Sequence, residues 1–507
     1  MNKTKSFIGR TVIVLLMMLL ELSTIYFLYR FFDEKVVWIE QILHIVGIFL
    51  VLFIVKNSKH LSSDLIWIIG ITVFPIFGTL LYLVLGANLL TSKTFKAIIS
   101  STKNSAKYYK QDDKVFENLE KAAPELKGQF NYISKTAGYP FYENSGFDYY
   151  GLGDDGFPTM LKELKKAKKF IFIEYFIIEE GEMWSSILKI LEEKATQGVD
   201  VRVMYDDAGI FFTLSIEYAK ELEKKGIKCV PFNRINPIVG VVMNNRDHRK
   251  IMVIDGKVAF TGGINIADQY INLKKVHGLW KDNLVCIKGE AVWSYTLMFL
   301  THWNALSKDK DDDYLKFKAK FRKGEVDGYI APYGETPLDD ELTSQNVYLN
   351  ILNQTSKYCY IFTPYLVIDT DFMNSLILAA KRGVDVRIIT PGIPDKRIVW
   401  YITKSYYHSL IEGGVKIFEF TPGFVHSKVF VCDDKIATVG TINLDYRSLY
   451  LHFENGTYLY GSKKILDVKK DLIDSMKQSK EITLNECKNG LLEEFVLSVL
   501  RLFAPFI

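Results

Sequence analysis

Apolar residues open the chain in three blocks, residues 11–29, 39–55 and 65–85, separated by short polar loops. Each approaches the ~20 residues a helix needs to cross a hydrocarbon core about 30 Å thick. The third is free of charged residues, and its Pro75 and Gly78 are tolerated in membrane helices. Glu21 lies inside the first block and Glu40 near the start of the second. The basic start at Lys3, Lys5 and Arg10 would suit a cleaved leader, but the apolar run is long and no A-x-A-like site follows it. A retained anchor of two or three helices over residues 1–90 is therefore expected. Lys and Arg number three before the first block, two in each loop and three across residues 87–106, a tally that selects no orientation.

The pattern then changes. Residues 91–135, rich in Lys, Ser, Gln and Asp, read as a helical connector. Residues 170–178 (FIFIEYFII) have the continuous apolar character of a buried strand, residues 183–197 have helical spacing, and residues 199–205 (VDVRVMY) are again a strand. This alternation predicts an α/β layered domain around a mixed central sheet. The same order recurs in residues 358–362, a helical stretch over 372–381, and a strand over 384–390. Gly198-Val199-Asp200-Val201-Arg202-Val203 matches Gly383-Val384-Asp385-Val386-Arg387-Ile388 almost letter for letter. Two copies are too few for a solenoid, so the expected architecture is a duplicated α/β sandwich, residues 136–325 and 326–488. The charged stretch 307–326 is expected as a surface connection. Residues 489–507 form an amphipathic terminal helix, either docked on the core or lying in a membrane interface.

Composition adds less. Of 507 residues 49% are hydrophobic, with 34 Phe and 29 Tyr, an excess concentrated in the first ninety positions. The net charge of +4 is too balanced to argue for a nucleic-acid partner, though it is compatible with an anionic membrane surface. Cys229, Cys286, Cys359, Cys432 and Cys487 are scattered, odd in number and lack C-x-x-C spacing. They give neither a disulfide framework nor a structural zinc site, and they favour a reducing compartment.

Within each copy lies H-x-K-x-x-x-x-D. The first runs from His248 through Lys250 to Asp255, the second from His426 through Lys428 to Asp433. Strand alternation puts His and Lys on one face. Each motif is followed by a glycine turn and an asparagine, Gly262-Gly263-Ile264-Asn265 and Gly440-Thr441-Ile442-Asn443, and the interval from His to Asn is seventeen positions in both. A lone motif of this kind is a moderate signal, whereas two in register inside a duplication leave a purely structural role little room.

These paired motifs resemble the phospholipase D superfamily. Pro75-Ile76-Phe77-Gly78-Thr79-Leu80-Leu81-Tyr82 and Thr363-Pro364-Tyr365 are similar to segments of bacterial cardiolipin synthases, a resemblance spanning roughly residues 40 to 507. It departs in the extra N-terminal apolar block and in Asp64-Leu65, where the family has an acidic-proline pair. Phosphodiester chemistry explains the doubling. One neutral imidazole attacks phosphorus while a second, protonated, delivers a proton to the leaving oxygen. Lys250, Lys428, Asn265 and Asn443 would hold the non-bridging oxygens. The two ammonium groups supply the positive charge, so no metal or other cofactor is expected.

The resemblance further implies that Asp282 and Glu454 orient the histidines, and that phosphatidylglycerol and other anionic membrane lipids are the partners. The implied reaction transfers a phosphatidyl group from one phosphatidylglycerol to another, with a phosphatidyl–histidine between the steps. His248 is taken as the nucleophile and His426 as acid and base. Glu174 is a third carboxylate candidate for orienting a histidine, because a charge amid FIFIEYFII is costly unless partnered. Asp255 and Asp433, which close the motifs, can pin the turn as well as serve the chemistry. A multi-pass anchor in the cell membrane with its catalytic body on the cytoplasmic face is the expected placement. A lipid hydrolase, or a transferase using another acceptor lipid, is the alternative.

Overall fold

A computed structural model describes Ser23 and residues 35–57, 61–83, 93–210, 213–233, 245–322, 327–488 and 490–504. Residues Lys93–Leu497 make one compact unit, and residues 1–92 with 498–506 belong to another.

In the larger unit, β1 (Ser145–Tyr150), β2 (Phe170–Tyr175), β3 (Asp200–Asp206), β4 (Lys228–Phe232), β5 (Lys250–Ile254), β6 (Val258–Gly262), β7 (Leu279–Lys281) and β8 (Leu284–Gly289) come from the first copy. The second supplies β9 (Tyr329–Glu335), β10 (Tyr358–Phe362), β11 (Leu366–Val367), β12 (Asp385–Pro391), β13 (Lys416–Phe420), β14 (Gly423–Val425), β15 (Val429–Cys432), β16 (Ile436–Gly440), β17 (Leu444–Asp445), β18 (Glu454–Tyr460) and β19 (Ser479–Ile482). The first sheet runs β1-β8-β6-β5-β2-β3-β4 and the second β9-β18-β16-β15-β10-β12-β13-β19. Position by position the orders coincide, with β19 added at one edge. Both sheets are mixed: β2, β3 and β4 are parallel, as are β10, β12 and β13, and the remaining neighbours pair antiparallel.

The repeated hexapeptide has a local explanation. Gly198 (φ +82°) and Gly383 (φ +93°) follow the helices Glu182–Thr196 and Thr370–Lys381 in the left-handed region, where a side chain would be strained. Each then leads into a strand whose Arg bonds the Asp two positions earlier, Arg202 Nε to Asp200 at 3.0 Å and Arg387 Nε to Asp385 at 2.9 Å. Such D-x-R pairs lie on one strand face because side chains alternate with period two.

One core cluster draws from both sheets. Phe172, Val253 and Ile287 of the first and Val431, Val439 and Leu459 of the second pack with Leu297, Phe299 and Trp303 of the apolar helix Val292–Leu306. Alternation along β5 sends Ile251 and Val253 into this shared core, and Met252 and Ile254 into a second cluster drawn mostly from the first copy, with Phe424 of the second. The connector contributes helices Lys93–Ala106 and Asp113–Ala122, the latter capped by Asp112, whose carboxylate accepts from Lys114 N at 2.9 Å.

Three expectations are revised. The stretch after residue 306 is not merely a surface link. Tyr314 and Phe317 bury in the shared core, and buried Asp311 pairs with Arg202. The apolar block 65–85 is not one helix. It breaks before Pro75, which cannot continue the hydrogen-bond ladder, into Leu61–Val73 and Pro75–Leu81. The pieces meet closely, since a Cβ on Gly78 would lie 2.2 Å from the Gly70 carbonyl oxygen. Block 39–55 falls within the helix Lys35–Asn57, but Lys35, Glu40, Gln41 and His44 occupy its first half and leave an apolar run of eleven residues, 45–55. Among the described residues no helix is long and apolar enough to cross a membrane. Block 11–29 lies outside the described residues apart from Ser23, which is helical.

Gly440 faces the backbone of β18, and an added Cβ would sit 2.3 Å from the Asn455 carbonyl oxygen. Gly440→Ala is expected to cost about 1–3 kcal/mol, because backbone rather than a movable side chain must give way. A lowered melting temperature in thermal denaturation is the measurement, and an unchanged one would contradict this packing.

Candidate active site

The motif histidines sit where the two copies meet. β7 of the first copy pairs in parallel with β14 of the second, and an isolated parallel bridge joins Asp247 to Phe453. These seams carry backbone hydrogen bonds from one copy to the other. His248 N donates to Phe453 O at 2.9 Å, and His426 N donates to Lys281 O at 2.7 Å. In each case the histidine thereby lies beside the residue preceding the opposite copy's acid.

The side chains follow. His248 Nδ1 is 2.9 Å from both oxygens of Glu454, and His426 Nδ1 is 2.6 Å from Asp282 Oδ2. Each imidazole is thus oriented by the other copy's carboxylate, a crossing the repeat alone did not reveal. With Nδ1 engaged, Nε2 is the nitrogen left for a substrate. Both carboxylates are fully buried. Asp282 lies against Gly263, where a Cβ would meet it at 1.9 Å. In the second copy the same position is Thr441, whose hydroxyl donates to Glu454.

Lys250 and Lys428 are buried at the starts of β5 and β15, each donating to the carbonyl of its own motif histidine. Asn265 Nδ2 donates to Tyr270 OH at 2.7 Å, and its Oδ1 accepts from Ile177 N at 3.2 Å. Asn443 Nδ2 donates to Asp445 Oδ2 at 3.0 Å, and its buried Oδ1 has no hydrogen-bond partner.

Two further aspartates are elsewhere. Asp255 (φ +53°) and Asp433 (φ +54°) lie at the far ends of the motif strands. Asp255 accepts from the N–H groups of Lys168, Lys169 and Phe170, and Asp433 from those of Ser356, Lys357 and Tyr358. They pin the start of the central strand in each sheet, about 16 Å along the strand from the motif lysine at 3.3 Å per residue.

Glu174 is also apart from the motif histidines. Its Oε1 is 2.9 Å from Arg249 Nη2 and 3.0 Å from His302 Nδ1, with Asp247 3.2 Å from Arg249 Nε. Arg249 alternates onto the opposite strand face from His248 and Lys250, so this buried quartet braces the motif from behind. Burial pushes the Glu174 carboxyl well up, while Asp247 is held down because Arg249 and His302 outweigh its own burial.

Comparisons with known proteins give the family. A profile described as "Cardiolipin synthase, PLD-like domain" matches residues 160–298 and 348–477, one segment in each copy. A Streptococcus mutans protein described only as uncharacterized is 45% identical over 460 residues, 90% of this chain and 99% of that one. A cardiolipin synthase of Halalkalibacterium halodurans is 32% identical over 97% of this chain and 99% of its own. The chain belongs to the cardiolipin synthase family of phospholipase D-like proteins. The crystal structure of phosphatidylserine synthase from Haemophilus influenzae superposes with a TM-score of 0.59 at 16% identity, covering 75% of this chain and 99% of that chain, and shares the fold.

Burial first, and then the crowding of positive groups, set the electrostatics of the site in this family member. Burial, then Lys250, Lys428, His426 and Lys396, hold His248 well below the ordinary imidazole range. Burial and Lys428 bring His426 down to about 4, although Asp282 opposes them. Burial lowers Lys250 to about 7 and Lys428 to about 8. An arriving phosphodiester anion relieves this repulsion and draws protons onto the site.

Sequence reading passed over several neighbours. Phe176 lies 5.2 Å from His248 between ring centroids, and Tyr270, Trp280 and Phe424 lie 5.5, 5.7 and 5.8 Å from His426. Lys396 sits in the loop after β12, with its ammonium 5.0 Å over the Tyr365 ring. Loops beyond the carboxyl ends of parallel strands are where ligands meet α/β sheets, and that was the available signal.

Two outcomes are expected. Glu454→Gln and Asp282→Asn each lower phosphodiester turnover by about 10²–10⁴-fold, as loss of a histidine-orienting carboxylate does, with melting temperature little changed; near-native rates in steady-state assays would contradict the crosswise pairing. Binding of a monoanionic phosphodiester analogue weakens as pH rises through about 7 to 8, where the free-site lysines lose their protons, and is accompanied by proton uptake in calorimetry run in buffers of different ionisation enthalpy.

Proposed function

We propose that this chain is a cardiolipin synthase that transfers a phosphatidyl group between two phosphatidylglycerol molecules, releasing glycerol. The observation that carries the reading is the crossed pair of imidazole–carboxylate dyads at one seam, in a chain of this family. In the first step His248 Nε2 attacks phosphorus, and the glycerol oxygen leaves with a proton from His426, giving a phosphatidyl–histidine. In the second step neutral His426 takes the proton from the headgroup hydroxyl of another phosphatidylglycerol. That oxygen attacks phosphorus and restores His248. Lys250 and Lys428, with the Asn265 and Asn443 amides, hold the non-bridging oxygens as charge develops.

The assignment of roles follows the charges. His248 faces the ammonium groups of Lys250, Lys428 and Lys396 and stays neutral, as a nucleophile must. Asp282 works against burial and Lys428 to favour the charged form that His426 needs as an acid once the phosphodiester anion is bound. Transfer rather than hydrolysis fits a site walled by Phe176, Tyr270, Trp280 and Phe424, because an apolar wall keeps water from resolving the intermediate.

Attachment to the cell membrane is part of the same reading. Helix Lys35–Asn57 exposes Trp38, Ile42, Ile45, Ile48, Phe49, Leu52 and Phe53, and helix Leu491–Leu502 exposes Phe495, Val496 and Val499. Apolar side chains on this scale call for lipid around them. The cysteines are free thiols, including Cys359 and Cys432, whose sulfurs lie 3.0 Å apart, and this favours the cytoplasmic face for the catalytic body.

Expression in a cardiolipin-free bacterial host, followed by lipid mass spectrometry, is expected to yield cardiolipin. His248→Ala and His426→Ala are each expected to abolish it with membrane association unchanged. Phosphatidic acid as the sole product of purified protein and phosphatidylglycerol would assign a hydrolase instead. Cardiolipin from both mutants would overturn the two-histidine mechanism.

A further inference from the structure

A third imidazole stands at the seam. His452 lies two residues before Glu454, the position Trp280 occupies before Asp282 in the first copy. Its ring centroid is 5.8 Å from that of His248, and its Nδ1 is 3.7 Å from Glu454 Oε1. The residue is buried, with 11% of its side chain exposed, yet neither ring nitrogen has a hydrogen-bond partner. A buried imidazole with no hydrogen bond, and only a carboxylate oxygen 3.7 Å from one nitrogen, is unusual, since such groups are normally satisfied.

The three donors fit a metal. One ligand atom each from His248, His452 and Glu454 lies within 4.8 Å of the others. His248 Nδ1 and Glu454 Oε1 are already 2.9 Å apart. With Zn–N and Zn–O near 2.0–2.1 Å, the edge of a tetrahedron is about 3.3 Å, so no separation within the set has to change by more than about 1.5 Å. Two imidazoles and a carboxylate suit Zn²⁺, leaving a fourth position open. The other dyad cannot do this, because aromatic Tyr270, Trp280 and Phe424 surround His426.

We propose that His248, Glu454 and His452 form a zinc-binding site that switches the enzyme off. Capture uses the Nδ1 lone pair of His248 and breaks its hydrogen bond to Glu454. The ring proton then resides on Nε2, so the lone pair that would attack phosphorus is lost. No bond to the metal is needed for turnover, and removing the ion restores the free dyad. The inhibition half of this inference rests on the role given to His248 above, while the binding half does not.

Full-length protein in detergent micelles is titrated with Zn²⁺ by calorimetry, and with Co²⁺ while following the visible d–d bands of tetrahedral cobalt. The wild type is expected to bind one ion and to lose lipid transfer by at least about tenfold, recovering on addition of EDTA. His452→Asn is expected to keep basal transfer, to bind at least about 10–100-fold more weakly, and to lose the cobalt bands and the inhibition together. Equal binding by wild type and His452→Asn, or no binding by the wild type, overturns the site. Binding that requires His452 but leaves transfer intact keeps the site and overturns the switch. If basal transfer is absent in the wild type, the catalytic reading fails while the cobalt spectrum still decides the site.

Discussion

Each imidazole at the seam takes its Nδ1 partner from the opposite copy, His248 from Glu454 and His426 from Asp282. A buried carboxylate without a counter-group is costly, and so is a buried histidine with an unsatisfied nitrogen. Crossing the pairs makes the two copies settle one another's debts at the point where they touch. The parallel pairing of β7 with β14 and the bridge from Asp247 to Phe453 supply the register, because they fix which residue of one copy stands opposite which of the other. Everything chemical at the seam depends on that register. A slip of one residue would turn His and Lys to the back of the sheet, where Arg249 and its buried partners lie.

Duplication gives the two halves the same strand order, but their surroundings have diverged. Behind His248 stand Glu174, Arg249, Asp247 and His302, an ionic group within the core. Behind His426, Ser427 makes only a long contact to Lys281 O, at 3.4 Å. Thr441 adds a hydroxyl to Glu454, where Gly263 has no side chain to offer Asp282, whose Oδ1 accepts instead from Asn283 N at 2.9 Å. Aromatic rings crowd one imidazole, and a second imidazole accompanies the other. A two-step transfer needs one histidine to form a bond to phosphorus while its counterpart only shuttles a proton. Unequal environments on an equal frame meet that requirement.

Much of this was legible in the residues. The matched hexapeptides announced the duplication, and His-to-Asn spacing announced that whole groups recur. The motif's spacing kept His and Lys together, and each lysine bonds the carbonyl of its own histidine. What pairs across the copies was not legible, because two carboxylates at equivalent positions leave open whether each serves its own histidine or the other. Glu174 shows the same limit. Its cost amid FIFIEYFII called for a partner, but the partners proved to be Arg249 and His302, the latter 128 positions away. Near the N-terminus, Pro75 was read as tolerable within one long helix, and the backbone instead breaks there. His452 escaped notice because a lone histidine carries no pattern until Trp280 is laid beside it.

The helix Val292–Leu306 ends the first copy in sequence, yet its Leu297, Phe299 and Trp303 lie in a core completed by strands of the second. As the chain leaves the ribosome, this greasy rod emerges long before β15, β16 and β18 exist to cover it. At 5–20 residues per second the wait is roughly 10–30 s. Over that interval the nascent first half would be sticky on one side, so its survival depends on a chaperone, on early contact with lipid, or on translation that does not stall between the copies.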